Sequence, residues 1–132
     1  MTNTSEDNPL ERLYADRNEI ERRLLASELE GYVRIDRETG DVIHLRPFFT
    51  LPLREKIVRA LLAEQAAANL RDDTKADPGL RPKELLDLLN VDKNRLERNC
   101  KQLPFVHHEK TLPDKSKYYI PDDEIQEAVM YL

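Results

Sequence analysis

The strongest constraint on the fold is a pair of short apolar-striped segments, three residues apart and fenced by prolines. The first runs Pro82-Lys83-Glu84-Leu85-Leu86-Asp87-Leu88-Leu89 and the second runs from Lys93 to Leu103, with Asn90-Val91-Asp92 between them. Proline at a first helical position wastes no hydrogen bond, because that N–H has no partner inside a helix. Pro104 closes the second segment, since its ring and missing N–H cannot continue a helix. Asp92 is placed to cap that helix with its carboxylate. Leu96, Cys100 and Leu103 recur at i, i+4 and i+7 and turn inward, leaving Lys93, Asn94, Glu97, Arg98 and Lys101 outward. Two helices this short need a larger partner to cover their apolar faces.

Residues 51–71 predict that partner: a long helix capped by Thr50, with Pro52 in its first turn. Leu53, Ile57, Ala60, Leu61 and Ala68 share one face, and Val58 and Leu62 widen it. Residues 71–79 are a polar loop ending in Pro78-Gly79. Beyond Pro104, residues 105–110 and 117–120 predict a hairpin joined through a Pro113-Asp114 turn. Pro121 ends it, and Asp122 then caps a last helix, Asp123 to Leu132, with Ile125, Val129 and Leu132 inward.

At the front, residues 9–30 predict one helix, with Asn8 as N-cap, Pro9 at its first position and Gly31 as its stop. Its stripe is Leu10, Leu13, Tyr14, Ile20, Leu24 and Leu25, interrupted at Arg17. Residues 32–46 predict a second hairpin, turning through residues 36–41 with Gly40 free to take positive φ. The expected class is mostly α with small β-hairpins, an α+β fold. The chain divides into an N-terminal arm (1–50), a central domain (51–121) and a C-terminal helix (122–132).

Charge narrows the function. The 132 residues carry 26 acids and 21 bases, a net charge of −5, which argues against a protein that coats nucleic acid indiscriminately. Resolved along the chain, residues 81–120 are at +3, while residues 1–50 and 121–132 are each at −4. No apolar run approaches the roughly 20 residues of a membrane span, and the polar, acidic start does not read as a secretory signal. A single cysteine leaves no internal disulfide and no multi-cysteine metal site. Three glycines leave no Gly-rich phosphate loop. The expectation is a cytoplasmic protein without a cofactor, a metal or a membrane partner.

Catalytic readings find little support. His107 and His108 are adjacent in a predicted strand, so they point to opposite faces and do not share a ligand easily. Cys100 falls on the inward side of its helix, where a thiol behaves as a small hydrophobe. The paired acids Asp72-Asp73 and Asp122-Asp123 sit at a loop and a cap, where structural roles suffice. The chain is therefore read as a non-enzyme.

The order long helix, short helix, tight turn, short helix, hairpin resembles the winged helix-turn-helix family of DNA-binding domains over residues 51–121. Arg81 to Val91 looks like the family's second helix and turn, Asp92 to Leu103 like its recognition helix, and Phe105 to Pro121 like its wing. One departure is the turn, where Asn90-Val91-Asp92 stands in place of the small residue or glycine often found there. The front part, Gly31 to Leu70, is similar to small prokaryotic winged-helix proteins in which a Tyr-x-Arg-Ile-Asp…Thr-Gly hairpin precedes the first helix.

The resemblance implies a transcription regulator that binds double-stranded DNA. Helix 93–103 would enter the major groove with Lys93, Asn94, Glu97 and Arg98 at base edges. Lys83, Lys101, Lys110, Lys115 and Lys117 would hold phosphates. It also implies a homodimer through the N-terminal or the C-terminal helix. A protein-interaction module without DNA binding is the alternative, for which the acidic flanks are natural.

Overall fold

The computed structural model describes residues 9–13, 17–71, 78–110 and 116–132. Among them, five α-helices and two antiparallel hairpins alternate along the chain: α1 (Arg17–Leu29), β1 (Val33–Ile35), β2 (Val42–His44), α2 (Leu53–Arg71), α3 (Pro82–Leu89), α4 (Lys93–Lys101), β3 (His107–Glu109), β4 (Lys117–Tyr119) and α5 (Ile125–Tyr131). The α+β class holds.

Helix α2 is the centre. Seven consecutive residues, Ile57 to Ala63, are buried, so the helix is covered on more sides than its apolar stripe predicts. The covering elements are α1, β2, α3 and α4. Burial extends to Arg59, each of whose three guanidinium nitrogens donates a hydrogen bond. It donates to the Glu28 carbonyl at 3.1 Å and to carboxylate oxygens of Glu28 and Glu55 at 3.4 and 3.3 Å. It also lies 4.4 Å over the Tyr32 ring. A charge removed from water persists only with such compensation, and this one fastens α1 and the first hairpin to α2.

One apolar cluster runs through all three sequence segments. It includes Leu25, Leu29, Val33 and Phe48 from residues 1–50, Leu61, Leu85, Leu96 and Tyr118 from the middle, and Ile125 and Val129 from the last helix. Helices α1 and α5 also pack on each other.

Several local expectations are corrected. Residues 9–30 are not one α-helix: Pro9–Leu13 is a 3-10 turn and α1 begins at Arg17. Leu10 and Leu13 are exposed; of the stripe Leu25 is buried, and Leu29, outside the expected stripe, is buried with it. The proposed Asn8 cap lies outside the described residues. Thr50 does not cap α2. Its hydroxyl donates to the Pro47 carbonyl at 2.7 Å inside a 3-10 turn, Arg46–Thr50, and the Pro52 carbonyl accepts the first helical bond, from Lys56. Asp122 does not cap the last helix either, being the first residue of a 3-10 turn, Asp122–Glu124, that precedes α5. Helix α4 ends at Lys101, two residues short of the expected end, with Gln102 as its C-cap.

The first hairpin pairs Val33 with His44 and Ile35 with Val42. Gly40 takes φ +77° in its turn, and the Asp36 carboxylate accepts backbone N–H bonds from Glu38 and Thr39. The second hairpin pairs His107 with Tyr119, His108 with Tyr118 and Glu109 with Lys117. A third, single-residue strand was not foreseen. Leu80 bridges antiparallel to Tyr118 on the far side of β4, so the segment before α3 is stitched to the hairpin.

Candidate nucleic-acid interface

The short helices are held as their end residues demand. At the end of α3, Asn90 takes the left-handed conformation, φ 54° and ψ 50°, and its N–H donates to the Leu86 carbonyl. Asparagine is among the few non-glycine residues that tolerate this region, which explains why no glycine is needed in the turn. The Asp92 carboxylate accepts the Arg95 N–H at 2.8 Å and caps α4. At the start of α3, the Glu84 carboxylate accepts the Arg81 N–H at 3.0 Å. Arg54 on α2 donates to the Asn99 side-chain oxygen at 3.1 Å, and the Asn99 amide donates to the Arg95 carbonyl. These polar ties fix α4 against α2 beside the buried Leu96 and Cys100.

Fixing that face inward decides what faces out. Asn94, Arg98 and Lys101 are exposed, and their spacing of four and three places them on one strip opposite Leu96 and Cys100. Lys93 and Glu97 lie on the neighbouring strip toward the hairpin, their charged atoms 4.0 Å apart. An exposed pair of this kind contributes little to stability.

Between α4, the start of α3 and the second hairpin lies a groove of about 670 Å³. Among the described residues, Arg81, Lys83, Lys93 and Lys110 supply four cations to its wall against the carboxylate of Glu97, with Leu96 and Tyr118 in the apolar lining. His108 lines the same groove, its ring stacked on Tyr118 at a centroid distance of 4.1 Å. Burial and the nearby Lys110 charge hold His108 below the usual imidazole value, with Glu97 opposing them.

The expected site residues thus separate into groups. Lys83, Lys93, Glu97 and Lys110 are brought to one groove, and Asn94, Arg98 and Lys101 form the adjoining exposed strip. Lys117 is set apart: its side chain is 12% exposed, its ammonium is 3.8 Å from Glu109, and it lies 5.6 Å over the Tyr119 ring. It is a packed residue of the hairpin, not the free wing cation expected. Lys115 lies outside the described residues.

Sequence reading missed Arg81 and His108. Arg81 could have been found from its place just before a proline-started helix, next to Lys83. His108 stood out only as one of two adjacent histidines, and its place at the groove depends on the register with Tyr118. His107 takes the opposite face, with its Nε2 2.5 Å from a Glu124 carboxylate oxygen.

Burial and the Glu97 charge push the Cys100 thiol up to about 12, and burial pushes the Tyr118 hydroxyl to about 12 as well. Both stay protonated at neutral pH, so Cys100 offers no thiolate for nucleophilic chemistry. Among the described residues, no group of three or more His, Cys, Asp or Glu side chains is arranged to hold a metal ion. No described helix is long and apolar enough to cross a membrane.

No protein-family model matches the chain, and comparison with curated proteins and with solved structures finds no significant match.

Proposed function

We propose that this chain is a winged helix-turn-helix protein that binds double-stranded DNA and regulates transcription without catalysing a reaction. The observation that carries the reading is the convergence of Arg81, Lys83, Lys93 and Lys110 on one groove beside the exposed Asn94–Arg98–Lys101 strip. The cations come from three successive elements, so a charge run along one helix does not account for them. Among the described residues, four positive side chains against one carboxylate give the groove the sign that a phosphate backbone requires.

In this reading α4 lies in the major groove. Arg98 suits the O6 and N7 acceptors of guanine, and Asn94 suits adenine. Arg81, Lys83, Lys93, Lys101 and Lys110 take phosphates and set the register. Glu97 moderates the field, and its carboxylate is suited to the cytosine amino group. The second hairpin is the wing, braced by the Leu80 bridge. A cytoplasmic homodimer completes the reading, with the exposed Ile20 of α1 and Met130 and Tyr131 of α5 as its contact residues.

A gel-shift series with random-sequence duplexes at low salt tests this directly. The wild-type chain is expected to shift the duplex, and Arg98→Ala with Lys101→Ala to weaken the shift by about tenfold or more, each lost contact removing about 1 kcal/mol or somewhat more. Absence of any shift refutes the reading and favours a protein-interaction module.

A further inference from the structure

His108 is the one histidine that lines the basic groove, and it is placed where its charge state and a bound phosphate must affect each other. Its ring is fixed by stacking on Tyr118 across the hairpin. Its Nε2 is buried and has no hydrogen-bond partner in the structure, so a proton there has no counter-group already waiting for it.

Among the described residues, the charges around it can be named. From its own strand comes Lys110, and from α4 come Lys93 and Glu97. From the start of α3 come Arg81 and Lys83. From β4 comes Tyr118, with Cys100 behind it, and neither of these titrates below about 12. Among the described residues the groove wall carries four cations and one carboxylate, and burial first, then the Lys110 charge, hold the imidazole below its ordinary value against the opposing Glu97. A phosphodiester seated among the same cations reverses that balance. It adds negative charge in the groove that the partly desolvated ring itself lines, where water screens the interaction less than in bulk.

We infer that DNA seated in this groove is bound together with a proton, which the His108 imidazole takes up. The inference rests on the DNA-binding reading above and adds a pH dependence to it. Association then takes up protons, so by linkage affinity falls as pH rises. The window lies around the ordinary imidazole value of 6.5, because the free side chain lies below it and the bound one is raised. Tightest binding is expected in mildly acidic solution, and release is favoured as the medium becomes alkaline.

The test is binding of one labelled random-sequence duplex at fixed ionic strength between pH 5.5 and 8, for wild type, His108→Gln and His107→Gln. DNA phosphates do not titrate in this range. Wild-type affinity is expected to fall about three- to tenfold across it, a change equivalent to about half to one pKa unit between free and bound states. His108→Gln is expected to flatten that slope, and His107→Gln, on the opposite face and paired with Glu124, to keep it. In the wild-type protein, the His108 ring resonances followed by NMR should titrate at higher pH with duplex present than without, which needs no variant to fold. A wild-type complex whose affinity does not change with pH, or a His108 titration unmoved by duplex, overturns the inference while leaving DNA binding intact. No binding at any pH removes the DNA-binding reading itself, and the inference with it.

Discussion

Leu80 and Tyr118 exchange both backbone hydrogen bonds, Leu80 donating at 2.9 Å and Tyr118 at 2.8 Å. This two-bond clamp ties the residue just before α3 to the strand that forms the back of the groove. Gly79 makes it possible. It takes φ +149°, and a Cβ there would stand 2.8 Å from the Tyr118 carbonyl oxygen. Gly79→Ala must therefore strain the backbone or break the clamp, at a cost of about 1–3 kcal/mol. Urea unfolding followed by circular dichroism checks this, and a variant as stable as wild type contradicts it.

The Gln65 amide donates to the Ile120 carbonyl at 2.6 Å inside the core. Gln65→Leu fits by volume but leaves that carbonyl buried without its donor. The expected loss is about 1–3 kcal/mol, larger than a hydrophobic-for-polar exchange suggests, and chemical denaturation measures it.

The turn between α3 and α4 is tested by two substitutions that act differently. Asn90→Gly keeps access to the left-handed conformation and should leave stability within about 0.5 kcal/mol, whereas Asn90→Val should cost about 1–2 kcal/mol. Asp92→Ala removes the α4 cap and should cost about 1 kcal/mol. Thermal unfolding of the three variants beside wild type gives the ranking.

How much of this arrangement the chain discloses in advance depends on how local its causes are. The α3–turn–α4 unit is legible because Pro82, Asn90, Asp92 and Pro104 each act on the backbone next to them. Cys100 and Leu96 are legible because one helical period governs them. Leu10 and Leu13 mislead because a period says which residues share a face, not whether anything covers that face. Thr50 misleads because it closes a 3-10 turn, its hydroxyl donating to the Pro47 carbonyl, while the helix starts only at Leu53. Leu80 is invisible because a one-residue bridge has no period. Arg59 is buried against Glu28 and Tyr32, about 30 residues away in sequence, and His108 reaches the groove through its register with Tyr118, so both are tertiary facts. The basic residues of the groove were mostly found by charge, and Lys117 was over-read because its pairing with Glu109 depends on strand register.

Cys100 provides a probe of the core behind α4. Its thiol is buried and pushed up to about 12 from an ordinary 9.0. At pH 8 under native conditions, modification by a thiol reagent should be at least about 100-fold slower than in denaturant, since both exposure and thiolate are needed. The sign for stability follows by linkage. A folded value raised above the unfolded one gives stability that is complete below about pH 9 and is lost as pH rises toward 12. Tyr118, raised to about 12 from 10.0, adds to the same alkaline loss. Denaturation midpoints between pH 8 and 11 should fall, and a flat profile contradicts the burial of these two groups.

The central claim is that the groove and the α4 strip meet a phosphate backbone, and the dependence of duplex affinity on salt measures that most directly. With Arg81, Lys83, Lys93, Lys101 and Lys110 as the contacting cations, the slope of log affinity against log salt should be about −4.5. Replacing Lys83, Lys93 and Lys110 together by alanine should bring it to about −2. A wild-type slope near zero, or a slope that the triple replacement leaves unchanged, contradicts the account.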